Sequence, residues 1–565
     1  NGYISQAIYE TEVAQPLRSV QNGDFESFKA ELPPRDYFTD EIRRQLSENF
    51  GEGEFFTGGL TVRATIDNEM QPIAAQSLQQ QLEEYDRSIG IWRGTGKTIA
   101  AEKLTSEESW RDALSNLRIP RDVELDSPWL PAVVLGLQDG NARIGIEGVD
   151  ETAEGNFIPA EDVKWARKRL DNGKLGGRAQ VAGDLLAVGD VVLVRRMTTD
   201  SDGSFIRWTL RQIPEVQGGF VAMDVNTGRV ISMQGGFSYQ ASVFNRATQA
   251  KRQPGSSFKP FVYAAALDSG YTPATIVVDA PIEIDTPQGM WRPRNSSNKF
   301  YGPTPLRTGI EQSRNLMTVR LAQEVGMDII GDYAERFGVY DNLSPVLANA
   351  LGSQETTLYQ MVSAYAMFAN GGERVQPTLV DRVQDRYGRT VYKHDQRICN
   401  DCQLPTLAPG LGPRIISNRE RVMDPITAYQ LTSMMKGVVD RGTARGAVNL
   451  PVPIAGKTGT TNDAKDVWFI GFSSNIVAGC YIGFDNPRSL GKRAYGAGMC
   501  GPVFQRFMTE AIKKFGGGPF EVPPGGRFIK IDRFNGSRLS DSAAGPNVVA
   551  EYFRDGEETL FGITF

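Results

Sequence analysis

A chain of 565 residues with 40% hydrophobic side chains can bury more than one core and reads as several domains. Its formal net charge of −6 provides no global basic field for nucleic acid or anionic lipid, and its 60 glycines and 31 prolines, spread along the chain, suit neither a coiled coil nor a disordered tail. No run approaches the ~18 apolar residues needed to cross a bilayer, and the single histidine, His394, excludes Ser-His-Asp catalysis and His-rich zinc sites.

In chain order, GYISQAIYETEVAQPL and DEIRRQLSENFG carry helical patterns. A strand, LTVRATID, then leads into EMQPIAAQSLQQQLEEY, an amphipathic helix by its apolar spacing. From about residue 95 to 215 the texture changes to short alternating runs, AVVLGL, ARIGIEG, DVVLVRRM and FIRWTLRQI, with Gly and Asp turns between them. That pattern predicts a small antiparallel barrel or sandwich. Next comes a hairpin, FVAMDVNTGRVISMQGG, turned by Asn226, Thr227 and Gly228. Helices then dominate (FKPFVYAAALDSG, RNLMTVRLAQEVG, TTLYQMVSAYAMFANGG, DPITAYQLTSMMKGVVDRG) before two strands, VWFIGFSS and IVAGCYIGF. Strand, helices, strand predicts an α+β domain whose sheet draws on both ends of the segment. Residues 516–565 are weakly patterned and read as a tail laid on that domain.

Without histidine, a serine nucleophile needs another base, and a lysine one helical turn away serves. Ser-x-x-Lys occurs at Ser256/Lys259, Ser296/Lys299, Ser433/Lys436 and Ser489/Lys492. Only Ser256 stands where a loop ends, at Pro254 and Gly255, and an apolar helix begins, so that its hydroxyl and N–H face the positive end of a helix dipole. The other three pairs fall in a polar loop, a helix interior and a turn and read as incidental. The run Lys457-Thr458-Gly459-Thr460-Thr461, just before DVWFIGF, joins a cation and hydroxyls around a glycine that lets a substrate backbone approach. Ser313-Arg314-Asn315 opens the helix RNLMTVRLA and alone would be a helix cap.

Two other features read as structural. Cys399 and Cys402 form a CxxC without a second copy, a local disulfide or idle thiols. GTGKT at 94–98 lacks the first glycine of a phosphate loop, since position 91 is Ile.

The order Ser-x-x-Lys, Ser-x-Asn, Lys-Thr-Gly, spaced by 57 and 144 residues, resembles the signature of penicillin-recognising serine enzymes. FNRATQAKRQPGSSFKPFVYAAAL, LYQMVSAYAMFANGG, GTARGAV and DVWFIGF look like the transpeptidase domain of class A penicillin-binding proteins, and GYISQAIYE resembles the end of that family's glycosyltransferase domain. The resemblance implies a β-lactamase-like α+β domain with helices around an antiparallel sheet, plus an OB-like barrel insert. It divides the chain into a linker and glycosyltransferase remnant at 1–60, a first strand and helix at 61–94, the insert at 95–215, the transpeptidase domain at 216–515 and the tail at 516–565.

The resemblance also implies roles. Ser256 would be acylated by a D-Ala-D-Ala stem peptide or a β-lactam, with Lys259 as base. Ser313 would relay the proton to the leaving amine and Asn315 would hold the substrate amide. Lys457 would set the electrostatics, and Thr458, Gly459, Thr460 and Thr461 would bind substrate. The N–H groups of Ser256 and Thr460 would form the oxyanion hole. No cofactor or metal is expected. The implied activity is D,D-transpeptidation of peptidoglycan at the periplasmic face of the bacterial inner membrane. Opening at Asn1 without Met, the chain reads as a piece whose membrane anchor and glycosyltransferase domain are missing, so no polymerase activity is expected of it. A serine β-lactamase or D,D-carboxypeptidase is the alternative; a β-lactamase would need a water-activating carboxylate, and none is assignable. The insert would dock a protein partner such as a lipoprotein, or the wall. Its Trp165, Arg167, Lys168 and Arg169 read as a solvated helix face rather than a nucleic-acid patch.

Overall fold

The computed structural model describes residues 5–16, 35–51, 53 and 58–557, apart from 152–154, 288, 400, 403, 408–412, 414 and 417–418. Parts of both expected terminal segments (1–4, 17–34 and 558–565) lie outside the described residues. The chain forms two compact units, Asn1–Asp36 and Tyr37–Phe565. The first holds α1 (Gln6–Val13), whose N-cap Ser5 hydroxyl accepts from the Ile8 N–H.

The second unit opens with α2 (Tyr37–Phe50). The sequence reading grouped this stretch with the preceding residues, yet Phe38, Ile42 and Leu46 are buried in the main core. β1 (Thr61–Ala64) pairs with Val380–Gln384, and α3 (Met70–Ile89) stops at Gly90, whose φ of +69° is a left-handed cap. β2 (Ile91–Trp92) and β3 (Lys97–Thr98) lead to α4 (Glu107–Ser115) and then to β4 (Trp129–Gln138), β5 (Asn141–Ile146) and β6 (Asn156–Ile158). β7 (Arg167–Arg169), β8 (Leu175–Arg178), β9 (Asp190–Thr198) and β10 (Phe205–Arg211) complete the insert. Its antiparallel sheet runs β10-β9-β4-β5-β6 with β3 added on β9, and its edges meet where the Trp208 indole donates to Asn156 at 3.2 Å.

Strand alternation explains why AVVLGL is apolar at every position. Ala132 and Val134 of β4 fill the barrel interior, while Trp129 and Val133 face outward into a core shared with Phe220 and Phe237 of the next domain. The Trp129 and Phe237 rings lie 5.3 Å apart.

The helix face expected to carry Trp165, Arg167, Lys168 and Arg169 is not there. Arg167–Arg169 is strand β7, parallel to β2 and antiparallel to β8. The turn at Gly90 sets the chain beside it, so that the Arg167 N–H donates to the Gly90 carbonyl at 2.9 Å. Trp165 packs edge-on against Trp92 with Arg87 over its ring.

The hairpin follows as β11 (Gln217–Asp224) and β12 (Val230–Gln234), with the Asp224 carboxylate accepting from the Asn226 and Thr227 N–H groups. Helices α5 (Lys259–Asp268), α6 (Leu306–Glu311), α7 (Asn315–Val325), α8 (Leu358–Ala369) and α9 (Pro425–Asp440) precede β13 (Ala455–Thr460), β14 (Asp466–Phe472) and β15 (Ile476–Gly483). The sheet order is β12-β11-β15-β14-β13, antiparallel throughout, so it does draw on both ends of the segment. Val221 and Met223 turn to the core of α5 and α8, while Phe220 and Ala222 turn to that of α3 and α10 (Gly496–Phe515). The sequence reading did not foresee α10, because Gly496, Gly498, Gly501 and Pro502 break its early pattern.

Cys399 and Cys402 are joined as a disulfide; Cys480 and Cys500 are free, buried and adjacent. Among the described residues no helix is long and apolar enough to cross a membrane.

The expected tail contains a hairpin, β16 (Gly526–Asp532) with β17 (Val548–Arg554). β17 carries Glu551, 0% exposed, whose carboxylate accepts from the 1%-exposed Arg307 of α6 at 2.6 Å. Removing Glu551 leaves the buried Arg307 guanidinium with one carboxylate, Glu311 at 3.1 Å, in place of two. Glu551→Ala therefore lowers unfolding stability by about 3 kcal/mol in denaturant titrations; an unchanged midpoint would refute the assignment.

Candidate active site

The Ser256 segment forms a 3-10 turn, Gly255–Phe258, that runs straight into α5. Pro260 fits in the first helical turn, where its missing N–H has no partner to lose. This turn lies against the edge strand β13. A Cβ on Gly459 would come 2.5 Å from the Pro254 carbonyl oxygen and 2.5 Å from the Ser257 hydroxyl, so only glycine permits the approach. Gly255 likewise sits against the Thr460 backbone, with φ +54°. Ser256, the second residue of this turn, is half-buried.

Lys259 and Lys457 are both fully enclosed, and they meet on one hydroxyl. Lys259 Nζ donates to Asn315 Oδ1 (2.6 Å), the Ser313 carbonyl (2.7 Å) and Ser313 Oγ (3.2 Å). Lys457 Nζ donates to Ser313 Oγ (2.9 Å) and the Thr458 carbonyl (3.0 Å). Burial above all, and then the charges of Lys457 and Arg314, push the Lys259 amine well below the usual lysine range. Burial alone brings Lys457 down to about 7.

Ser313 adopts φ +54°, a left-handed conformation that an L-residue takes only when its surroundings impose it. It does not cap α7. Asn295 does so from a distant loop, its side-chain oxygen accepting from the N–H groups of Asn315 (2.8 Å) and Leu316 (3.4 Å). Asn295 in turn donates to both oxygens of the buried Asp279. Sequence reasoning missed this pair because Asn295 lies in the polar stretch whose Ser296/Lys299 pair was set aside. Arg314 stacks 3.2 Å above the centre of the Tyr301 ring, beside the same cluster.

The structure therefore gathers Ser256, Lys259, Ser313, Asn315, Lys457, Thr458, Gly459 and Thr460 around one cleft. Thr461 is the exception among the expected substrate-binding residues. The strand has ended at Thr460, and the Thr461 N–H and hydroxyl both bond the Asp466 carbonyl, closing the turn to β14 with Thr461 8% exposed. Of the other Ser-x-x-Lys copies, Ser433 receives a hydrogen bond from Arg307 inside the fold, and the Lys299 carbonyl accepts from the Asn295 that caps α7. Among the described residues no cluster of His, Cys, Asp and Glu could hold a metal ion.

Residues 218–509 match the model of the penicillin-binding protein transpeptidase domain, and residues 92–216 match that of the penicillin-binding protein OB-like domain. The chain belongs to the penicillin-binding protein transpeptidase family. Its family domain is a serine transpeptidase domain, and its insert is OB-like. The chain is 40% identical over 542 residues to penicillin-binding protein 1A of Rickettsia bellii, covering 95% of this chain and 64% of that protein. It is 33% identical to penicillin-binding protein 1A of Pseudomonas aeruginosa, covering 98% and 67% respectively. The chain thus spans about two thirds of the length of these curated relatives. The crystal structure of penicillin-binding protein 1A from Haemophilus influenzae superposes with a TM-score of 0.77 at 28% identity, covering all of this chain and 81% of that one. PonA1 of Mycobacterium tuberculosis, solved in complex with penicillin V, shares the fold at TM-score 0.54 and 19% identity, covering 86% of this chain and 95% of that one.

Because the folded protein disfavours the protonated amine of Lys457, this residue subtracts most stability below pH about 7, and the loss fades as pH climbs towards the unfolded value of about 10.4. NMR titration of the lysine side chains gives a midpoint of about 7 for Lys457 and one well below 10.5 for Lys259. Ordinary values for both would overturn the electrostatic description of the site.

Proposed function

We propose that this chain is the acyl-transferring part of a class A penicillin-binding protein, a D,D-transpeptidase that cross-links peptidoglycan through an acyl-enzyme on Ser256 and is blocked by β-lactams. The observation that carries the reading is the meeting of two buried amines on the Ser313 hydroxyl, in front of a strand edge that abuts the Ser256 turn. The penicillin V complex of PonA1 adds support.

In this reading the Ser256 oxygen attacks the carbonyl of the penultimate D-Ala, and its proton passes to the neutral amine of Lys259. The peptide C–N bond breaks, and the departing D-Ala amine takes a proton relayed through Ser313. An acceptor amine then attacks the ester, forming the cross-link and restoring the serine. Lys457, Thr458 and Thr460 receive the terminal carboxylate as a charge-assisted site. The N–H groups of Ser256 and Thr460 face the developing oxyanion. Asn315 has both ends of its amide engaged, with Lys259 and the Arg294 carbonyl, so its first task is to hold Lys259 in place.

Residues 216–515 are assigned to the catalytic domain and 95–215 to the insert, which docks a protein partner or the wall. A peptidoglycan substrate assigns its work to the periplasmic face of the inner membrane.

Incubation with labelled penicillin followed by mass spectrometry gives one stable adduct, on the peptide of Ser256. Ser256→Ala gives none, and Lys259→Ala slows its formation by roughly 10²–10⁴-fold. Rapid release of the drug would point to a β-lactamase. D-Ala release from a stem-peptide donor without any cross-linked product, in the presence of an acceptor amine, would point to a carboxypeptidase.

A further inference from the structure

A hydroxyl outside the three motifs touches the carboxylate-binding strand. Thr443 Oγ1 lies 2.7 Å from Thr458 Oγ1, and Thr443 belongs to Arg441-Gly442-Thr443, the segment that leaves α9. Three contacts fix that segment on Glu311, the last residue of α6, which is 0% exposed and stands two residues before Ser313. The Arg441 guanidinium donates to the Glu311 carboxylate at 2.6 and 3.1 Å. The Thr443 N–H donates to the Glu311 carbonyl at 3.1 Å. Gly442 passes so near the same carbonyl that a Cβ there would stand 2.3 Å from its oxygen. The segment has no room to shift, and the Thr443 hydroxyl is delivered to a fixed point.

A hydroxyl carries one proton and two acceptor sites, and its rotor takes whatever direction its partners allow. Left alone, Thr458 could spend its proton on any nearby acceptor. Either hydroxyl can donate in this pair; when Thr443 does, the Thr458 oxygen is satisfied as an acceptor and its own proton is available for an anion. The anion would lie beside the Lys457 ammonium, which is already anchored to the Thr458 carbonyl. The hydrogen bond is also strengthened when its donor itself accepts one.

We infer that Thr443 is a positioning residue for the substrate's terminal carboxylate, acting through Thr458. This rests on the transpeptidase reading given above. Thr443 reaches no reacting atom. It sets the direction of a hydroxyl that does touch substrate, and it ties the Ser313 side of the cleft to the β13 side through Glu311.

The test uses the full chain and two boronic acids that form reversible adducts with Ser256, alike except that one bears a carboxylate and the other has hydrogen in its place. Their Kd values are measured by calorimetry for the wild type, Thr443→Val, Thr443→Ala and Thr443→Ser. The ratio of the two affinities within one sample does not depend on how much of it is folded, so a destabilised variant still reports. Val and Ala weaken the carboxylate-bearing compound by about tenfold while leaving the other unchanged, and Ser restores the wild-type ratio. Equal weakening of both compounds, or no weakening of either, would overturn the inference. A wild type that neither binds the boronic acids nor forms a penicillin adduct would instead overturn the transpeptidase reading beneath it.

Discussion

A lysine ammonium withdrawn completely from water must find its hydrogen bonds inside the protein or give up its proton. Lys259 is poised between these outcomes. Three oxygens, from Ser313 and Asn315, surround its amine, yet burial and the neighbouring charges of Lys457 and Arg314 favour the neutral form. Much of the catalytic half is arranged to keep it there. α5 carries the lysine, α7 presents Asn315, and the turn between α6 and α7 bends Ser313 into a left-handed conformation so that its carbonyl and hydroxyl both face the amine. That bend is held by Asn295 and Asp279 from outside the motif, which is how a locally costly conformation persists.

The opposite wall of the cleft depends on the absence of side chains rather than their presence. Gly459 lets the Ser256 turn touch the strand, and Gly255 lets it lie against Thr460. Substitution at either would separate the serine from the strand by the thickness of a methyl group. Gly442 serves the same purpose one layer further back, against Glu311. The approaches at Gly459 and Gly255 connect the helical layer to the sheet at β13, one of its two edge strands.

The motifs were legible because each is local: a serine and lysine one turn apart, a glycine among hydroxyls on a strand. The sheet was legible because its strands carry strong apolar runs at both ends of a helical segment. The supports were not legible: Asn295, Asp279 and Glu311 are separated in sequence from what they hold, and Thr443, although it lies in the GTARGAV run, has nothing local that ties it to Thr458. Adjacency in a motif does not say where the strand ends, and here it ends at Thr460, with Thr461 in the turn to β14. The stretch around Arg167 looked helical from its composition, but the tertiary pairing with Ile91–Trp92 prevailed over that weak local preference. α10 escaped notice because the glycines and proline at its start mask a C-terminal half rich in buried Phe and Met.

Because β4 is buried on both faces, the barrel is not an appendage that can be swung or trimmed. Trp129 and Val133 lie in the same apolar cluster as Phe220 and Phe237, so one buried core spans insert and catalytic domain. Heat would take the two apart in a single cooperative event, and whatever grips the barrel lends its binding free energy to the catalytic fold as well.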